Sequence, residues 1–252
     1  MTELTNPDNG QKKNKKIAMI LAGGIGQRMK QDIPKQFLNV YDKPVIIYTL
    51  ECFQHTSEID EIMVICLQGW ENLLRAYANQ FNIDKLKWIV PGGASAQESI
   101  RNGVFFLRDV CDSEDIVIIH ESTRPMVDAQ TLSNVIEVCK KHGSALSAMP
   151  YYEEIFTTED GASTNNFLRR ECAYRVNTPQ AYRYDKLINA YERAFSGEVD
   201  LRSASFVNTL LVTLGERLYF ADGSEKNIKL TTRDDFEFFK TFIKMDRDIW
   251  LK

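Results

Sequence analysis

The sequence predicts an α/β fold, Rossmann-like and three-layered, with a mostly parallel sheet and an inserted β-hairpin arm. Three observations carry that reading. Short apolar runs alternate with longer amphipathic stretches. The first run, 17–21, feeds a glycine-rich turn, Leu21-Ala22-Gly23-Gly24. One segment, 151–176, breaks the rhythm. Alternating β and α units pack as a parallel sheet covered on both faces.

Each element has a local reason. The candidate strands, 17–21, 61–67, 86–90, 116–120, 143–149 and 217–220, are short apolar runs. The stretches 45–54, 70–81, 95–110, 128–142, 183–196 and 234–250 have helical periodicity. Pro44 suits the first turn of the helix after Lys43. Segment 151–176 holds β-prone pieces at 151–152, 155–158 and 173–176 around a polar tip, 160–166. It reads as a hairpin that packs on a partner subunit or on its own domain. Residues 1–16 are polar and read as a disordered tail, leaving 17–252 as one domain.

Composition narrows the function. With 252 residues, 44% hydrophobic and 26% charged, the chain suits one soluble α/β domain. A net charge of −4 provides no basic field for nucleic acid or an anionic membrane, so an anionic ligand needs a local cation cluster. No apolar run reaches the roughly 20 residues of a bilayer span. Lys12, Lys13, Lys15 and Lys16 before an apolar run mimic a signal peptide, but no small-residue cleavage pattern follows. Five cysteines without metal-ligand or C-x-x-C spacing read as reduced thiols of a cytoplasmic protein. Three scattered histidines give no support to a zinc site or a His-based triad.

The Leu21–Met29 loop, with Pro34-Lys35-Gln36 behind it, has the chemistry of a polyphosphate site. Glycines let backbone N–H groups approach phosphate oxygens, and Arg28 and Lys35 offset their charge. It is neither a dinucleotide fingerprint, because Met29 replaces the third glycine, nor a P-loop, because Gly23 leads to Arg28-Met29. Four more clusters follow strand ends. Gly92-Gly93-Ala94 leads to Ser99, which is placed to bond a base or sugar or to cap a helix. His120-Glu121-Ser122-Thr123-Arg124 carries a carboxylate suited to Mg²⁺, and an arginine for a phosphate or for Glu121. Arg169-Arg170 precedes Asn177-Thr178-Pro179-Gln180 and suits phosphate. The stretch 223–232 reads as a turn entering a short strand, with Lys229 facing the site.

This ordered set resembles the 2-C-methyl-D-erythritol 4-phosphate cytidylyltransferase family, which includes ribitol-5-phosphate cytidylyltransferases of wall and capsule synthesis. The resemblance spans about 17–239 and rests on Leu21-Ala22-Gly23-Gly24 with Arg28, Pro34-Lys35-Gln36-Phe37, Pro91-Gly92-Gly93 with Gln97-Glu98-Ser99, Arg124-Pro125, Thr178-Pro179-Gln180 and Asn227-Ile228-Lys229. It implies a CTP-dependent transferase using Mg²⁺ held at Glu121. Arg28, Lys35 and Lys229 would act on the triphosphate. Leu21, Ala22, Gly23, Gly24, Gly93, Ala94, Ser99, Glu121 and Ser122 would surround the nucleotide. Arg124, Glu154 and Thr178 would meet the acceptor, with Arg170 reaching over from a partner, because the hairpin is the family's dimerisation arm.

Three single positions and one pair depart from the family pattern. Glu121 replaces an Asp, Ala96 replaces an Arg, Glu154 aligns with a phosphate-binding Thr, and Arg202-Ser203 replaces an acidic pair. The departures cluster on the acceptor side and at the metal. The expected acceptor is therefore an alditol phosphate such as ribitol- or glycerol-phosphate. The alternatives are methylerythritol phosphate, or a nucleotide-binding homologue without catalysis. A redox enzyme is disfavoured by Met29.

Overall fold

The computed structural model describes residues 14–24, 33–201 and 204–250. From the N-terminus the elements are β1 (Lys16–Ala22), β2 (Asn39–Val40), β3 (Lys43–Pro44), α1 (Val45–His55), β4 (Glu61–Cys66), α2 (Glu71–Gln80) and β5 (Leu86–Pro91). Then come α3 (Ala96–Phe106), β6 (Ile116–Glu121), α4 (Ala129–His142), β7 (Ser144–Pro150), β8 (Ile155–Thr157) and β9 (Asn166–Leu168). The chain closes with β10 (Tyr174–Arg183), α5 (Tyr184–Arg193), α6 (Val207–Thr213), β11 (Phe220–Asp222) and α7 (Arg233–Trp250).

One seven-stranded sheet has the order β11-β7-β10-β6-β1-β4-β5. Every pairing in it is parallel except those of β10, which runs against both β6 and β7. Beyond Lys16, the interior strand β1 is apolar because both of its faces are covered. Ala18, Ile20 and Ala22 pack with α1, α2 and α4, while Ile17 and Met19 pack with α3, α5 and α6. These are the three layers. The chain runs outward from β1 to β4 and β5, then returns to β6 on the other side of β1. That reversal opens a crevice at the carboxyl ends of β1 and β6, where open α/β sheets bind ligands. Among the described residues, no helix is long and apolar enough to cross a membrane.

A third, smaller cluster lies at that end of the sheet. Val40, Val45, Tyr48, Met126, Leu230, Phe236 and Phe239 tie α7 and the 223–232 segment to the start of α1. Tyr48 and Phe239 meet edge to face, ring centroids 5.2 Å apart.

Several expectations need correction. The Lys15 and Lys16 backbone already belongs to the sheet, with Lys15 N–H donating to Asp115 and Ile116 N–H to the Lys15 carbonyl, so the expected tail, 1–16, overlaps the domain. Residues 174–176 are not a hairpin strand alone but the start of the ten-residue β10, and Ala173 lies just before it. Pro179, which cannot donate to a ladder, sits where the β10–β7 register slips between Asn177 and Gln180. The arm's pairing is β8 with β9, a separate two-stranded sheet. The last strand falls at 220–222 rather than 217–220, 223–232 forms no strand, and helix α6 was not expected.

Replacing Phe239 with Ala empties the centre of the third cluster. We expect a loss of about 3–5 kcal/mol, measurable by urea denaturation.

Candidate active site

β1 delivers Leu21 and Ala22 to the crevice, and Gly23-Gly24 follow. Buried Gln36 fixes this turn: its Nε2 donates to the Ala22 carbonyl at 2.8 Å and to the Gly24 carbonyl at 2.9 Å. β5 delivers the second turn. A Cβ on Gly92 would lie 3.3 Å from the Cys66 carbonyl oxygen and 3.6 Å from Gly23 Cα, so the two turns meet backbone to backbone. A Cβ on Gly93 would overlap Glu98 Cβ at 2.5 Å. Ser95, not Ser99, caps α3, accepting from Glu98 N–H at 3.1 Å. The Ser99 hydroxyl braces the loop, accepting from Gly93 N–H at 3.0 Å and donating to the Ser95 carbonyl at 2.8 Å.

β6 ends at Glu121 beside Leu21. Ser122 N–H donates to the Leu21 carbonyl and Thr49 Oγ1 to the Ser122 carbonyl, locking the turn to β1 and α1. Glu121 N–H donates to Thr178 Oγ1 at 3.2 Å. The 223–232 segment then crosses the open side. Arg124 Nη1 donates to the Asn227 carbonyl at 2.8 Å, and Asn227 Nδ2 donates to the Thr178 carbonyl at 2.7 Å. Leu230 N–H donates to the Thr123 carbonyl, and Lys35 Nζ donates to the Leu230 carbonyl at 3.0 Å. The amides of Thr231 and Thr232 both donate to Asp235 at the start of α7.

The resulting cleft has a volume of about 580 Å³, and Gly23, Gly24, Ala94, Lys35, Glu121 and Lys229 line it. Leu21, Ala22, Gly93, Ser99 and Ser122 also line it. Thr123, Thr231 and Gln36 line it too and were not expected as site residues. Arg28 lies outside the described residues. Glu121 donates no proton; its Oε2 accepts from Arg124 Nε at 2.6 Å and its Oε1 from Lys229 Nζ. Burial alone would raise its pKa, but Arg124 and Lys229 outweigh burial and hold the carboxyl below its ordinary value. Burial pushes the thiols of Cys52, Cys66, Cys111 and Cys139 up to about 12, which removes them as nucleophiles. With two lysines and no histidine or cysteine lining it among the described residues, the cleft is suited to binding and polarising phosphates, not to proton abstraction.

The comparisons with known proteins agree with that chemistry. A family profile, IspD: 2-C-methyl-D-erythritol 4-phosphate cytidylyltransferase, matches residues 16–244. The chain belongs to the 2-C-methyl-D-erythritol 4-phosphate cytidylyltransferase family. It is thus a nucleotidyltransferase. It is 47% identical to a ribitol-5-phosphate cytidylyltransferase of Lacticaseibacillus paracasei over 90% of this chain and 97% of that protein. It is 33% identical to a 2-C-methyl-D-erythritol 4-phosphate cytidylyltransferase of Clostridium novyi, over 88% and 94% of the two chains. The crystal structure of the Francisella tularensis IspD superposes with a TM-score of 0.75 at 26% identity, covering 89% of this chain and 98% of that one.

Within this cytidylyltransferase chain the four expected acceptor residues stand apart from the cleft lining. Arg124 is spent on Glu121 and Asn227, and Thr178 supports the Glu121 backbone. Glu154 and Arg170 are exposed on and beside the arm, Arg170 near Glu171 at 3.8 Å. The metal expectation meets a poor donor set. Among the described residues, Glu121 is the one carboxylate lining the cleft, and both of its oxygens hold cations. Among the described residues, no group of three His, Cys, Asp or Glu converges as a metal centre. Mg²⁺ held here would displace charge-assisted hydrogen bonds worth about 1.5–3 kcal/mol each. The described residues do not fit a protein-held divalent ion.

Two predictions follow from this geometry. Gln36→Leu removes both bonds to the first glycine turn, each worth about 0.5–1.5 kcal/mol. Calorimetry should record about tenfold weaker CTP binding or worse. The second concerns His120, wholly buried with Nε2 at 3.0 Å from the Arg124 carbonyl oxygen. Burial pushes its pKa down to about 4 from 6.5. Between those values the unfolded chain binds the extra proton, so this contribution is full above about pH 6.5 and shrinks as pH falls. The slope is about 1.4 kcal/mol per pH unit at most. Melting curves at several pH values should show that His120→Gln flattens the acid-side decline.

Proposed function

We propose that the protein transfers the cytidylyl group of CTP to ribitol 5-phosphate, giving CDP-ribitol and pyrophosphate for a surface polymer. The observation that carries this reading is the 47% identity, across nearly both whole chains, to a protein named ribitol-5-phosphate cytidylyltransferase. The cleft suits the reaction. The acceptor phosphate is already ionised, so its oxygen attacks the α-phosphorus of CTP without a general base. The bond from the α-phosphorus to the bridging oxygen breaks, and pyrophosphate leaves. Lys35 and Lys229, with Arg28 from the neighbouring loop, would gather the triphosphate and stabilise charge on the α-phosphoryl oxygens. The glycine turns and the Ser99 brace would hold the cytidine. Any divalent cation would arrive with the triphosphate.

The acceptor side is completed, in this reading, by a second copy of the chain in the cytoplasm. The arm exposes Phe156, Phe167 and Leu168, with Tyr152 beside it, an apolar surface that a second arm would cover. Its Arg170 would then hold the acceptor phosphate across the interface. A second reading, with 2-C-methyl-D-erythritol 4-phosphate as acceptor, draws on the 33% identity to the Clostridium novyi protein of that name.

Pyrophosphate release with CTP should be measured against ribitol 5-phosphate, glycerol phosphate and methylerythritol 4-phosphate. We expect kcat/KM for ribitol 5-phosphate to exceed the others by about a hundredfold or more, because unpaired polar groups penalise the wrong polyol. Turnover of methylerythritol phosphate alone would select the second reading. CTP binding without turnover of any acceptor would mark the chain as a non-catalytic homologue.

A further inference from the structure

We infer that Glu121 is a positioning residue for Lys229, not a ligand for a divalent cation. This rests on the reading of the cleft as a triphosphate site.

Lys229 comes from a segment with neither helix nor strand, and its side chain is long and flexible. Left alone, such an ammonium would sample many positions over the cleft. Glu121 is the opposite. It is the last residue of β6, in register with Leu21, and its amide is held by Thr178 Oγ1. The carboxylate therefore starts from a rigid part of the sheet. One oxygen takes Lys229 and the other takes Arg124 Nε. Arg124 in turn grips the Asn227 carbonyl, two residues before Lys229. The chain of contacts closes into a ring: Glu121, Lys229, the backbone back to Asn227, Arg124, and Glu121 again.

The ring defines where the ammonium sits while leaving it able to act. An ammonium has three N–H donors, and Glu121 uses one. The others remain for phosphate oxygens in the cleft that Lys229 lines. With two cations on one carboxylate, the cluster is net positive, which suits a phosphate and not a metal ion. Each oxygen of Glu121 would have to give up a cation to coordinate a second one.

The test uses the full-length protein, wild type against Glu121→Gln, Lys229→Met and the double variant. Binding of Mn²⁺ to the free protein is followed by the electron paramagnetic resonance of the unbound ion. Pyrophosphate release gives kcat, KM for CTP and the Mg²⁺ concentration for half-maximal rate. We expect free wild-type protein to leave the Mn²⁺ signal unchanged. Glu121→Gln should lower kcat about tenfold or more, with KM for CTP and the Mg²⁺ requirement moving less than about twofold. The double variant should be within about twofold of Lys229→Met, because both changes break one unit. Mn²⁺ binding by wild type that is lost in Glu121→Gln would overturn the inference. So would a rise of about tenfold in the Mg²⁺ requirement, or losses that multiply in the double variant. Should wild type release no pyrophosphate with any acceptor, the functional reading fails separately, and the Mn²⁺ signal still decides the role of Glu121.

Discussion

The segment that carries Lys229 crosses the mouth of the cleft without a ladder or helix of its own. Its buried polar groups need partners all the same. They find them in side chains: Arg124 on the Asn227 carbonyl, Lys35 on the Leu230 carbonyl, Asp235 under the amides of Thr231 and Thr232. Leu230 is fully buried between these tethers. The same contacts that satisfy the backbone also bring together two lysines separated by most of the sequence. Local stability and ligand electrostatics are thus built from one set of bonds, and neither can be altered without the other.

The parts of this site that are local in sequence were legible there. Gly23-Gly24 after an apolar run, Gly92-Gly93 before a helix, and Glu121 at a strand end all sit at the crevice that an alternating β/α pattern implies. What escaped were features whose partners are distant. Gln36 acts on carbonyls twelve and fourteen residues away, and Glu121 acts on a lysine 108 residues away. Nothing in a single sequence signals those pairings. On sequence alone Ser99 suits a base or sugar contact or a helix cap, yet Ser95 caps the helix and Ser99 spans the turn. The sequence ends its β-prone piece at 176, whereas β10 runs on to Arg183 through a register slip that accommodates Pro179. Helix α6 is only seven residues long, too short to display a period.

The family assignment and the geometry answer different questions. Likeness along nearly the whole chain establishes the class of chemistry. The arrangement around Glu121 bears on how this chain carries it out, and it departs from what the sequence motif suggested. A carboxylate at the end of a strand reads as a metal ligand in isolation. With Arg124 and Lys229 on its two oxygens it reads as the anion in a cationic cluster.

The β8–β9 sheet shares no ladder with the seven-stranded sheet. Its residues contribute nothing to the three apolar clusters. Sequence drift there is therefore decoupled from the folding free energy of the nucleotide half. Substitutions on this appendage leave the packing beneath the glycine turns and the lysines as it is. The fold is in that sense modular, with one compartment under tight packing constraint and another outside it.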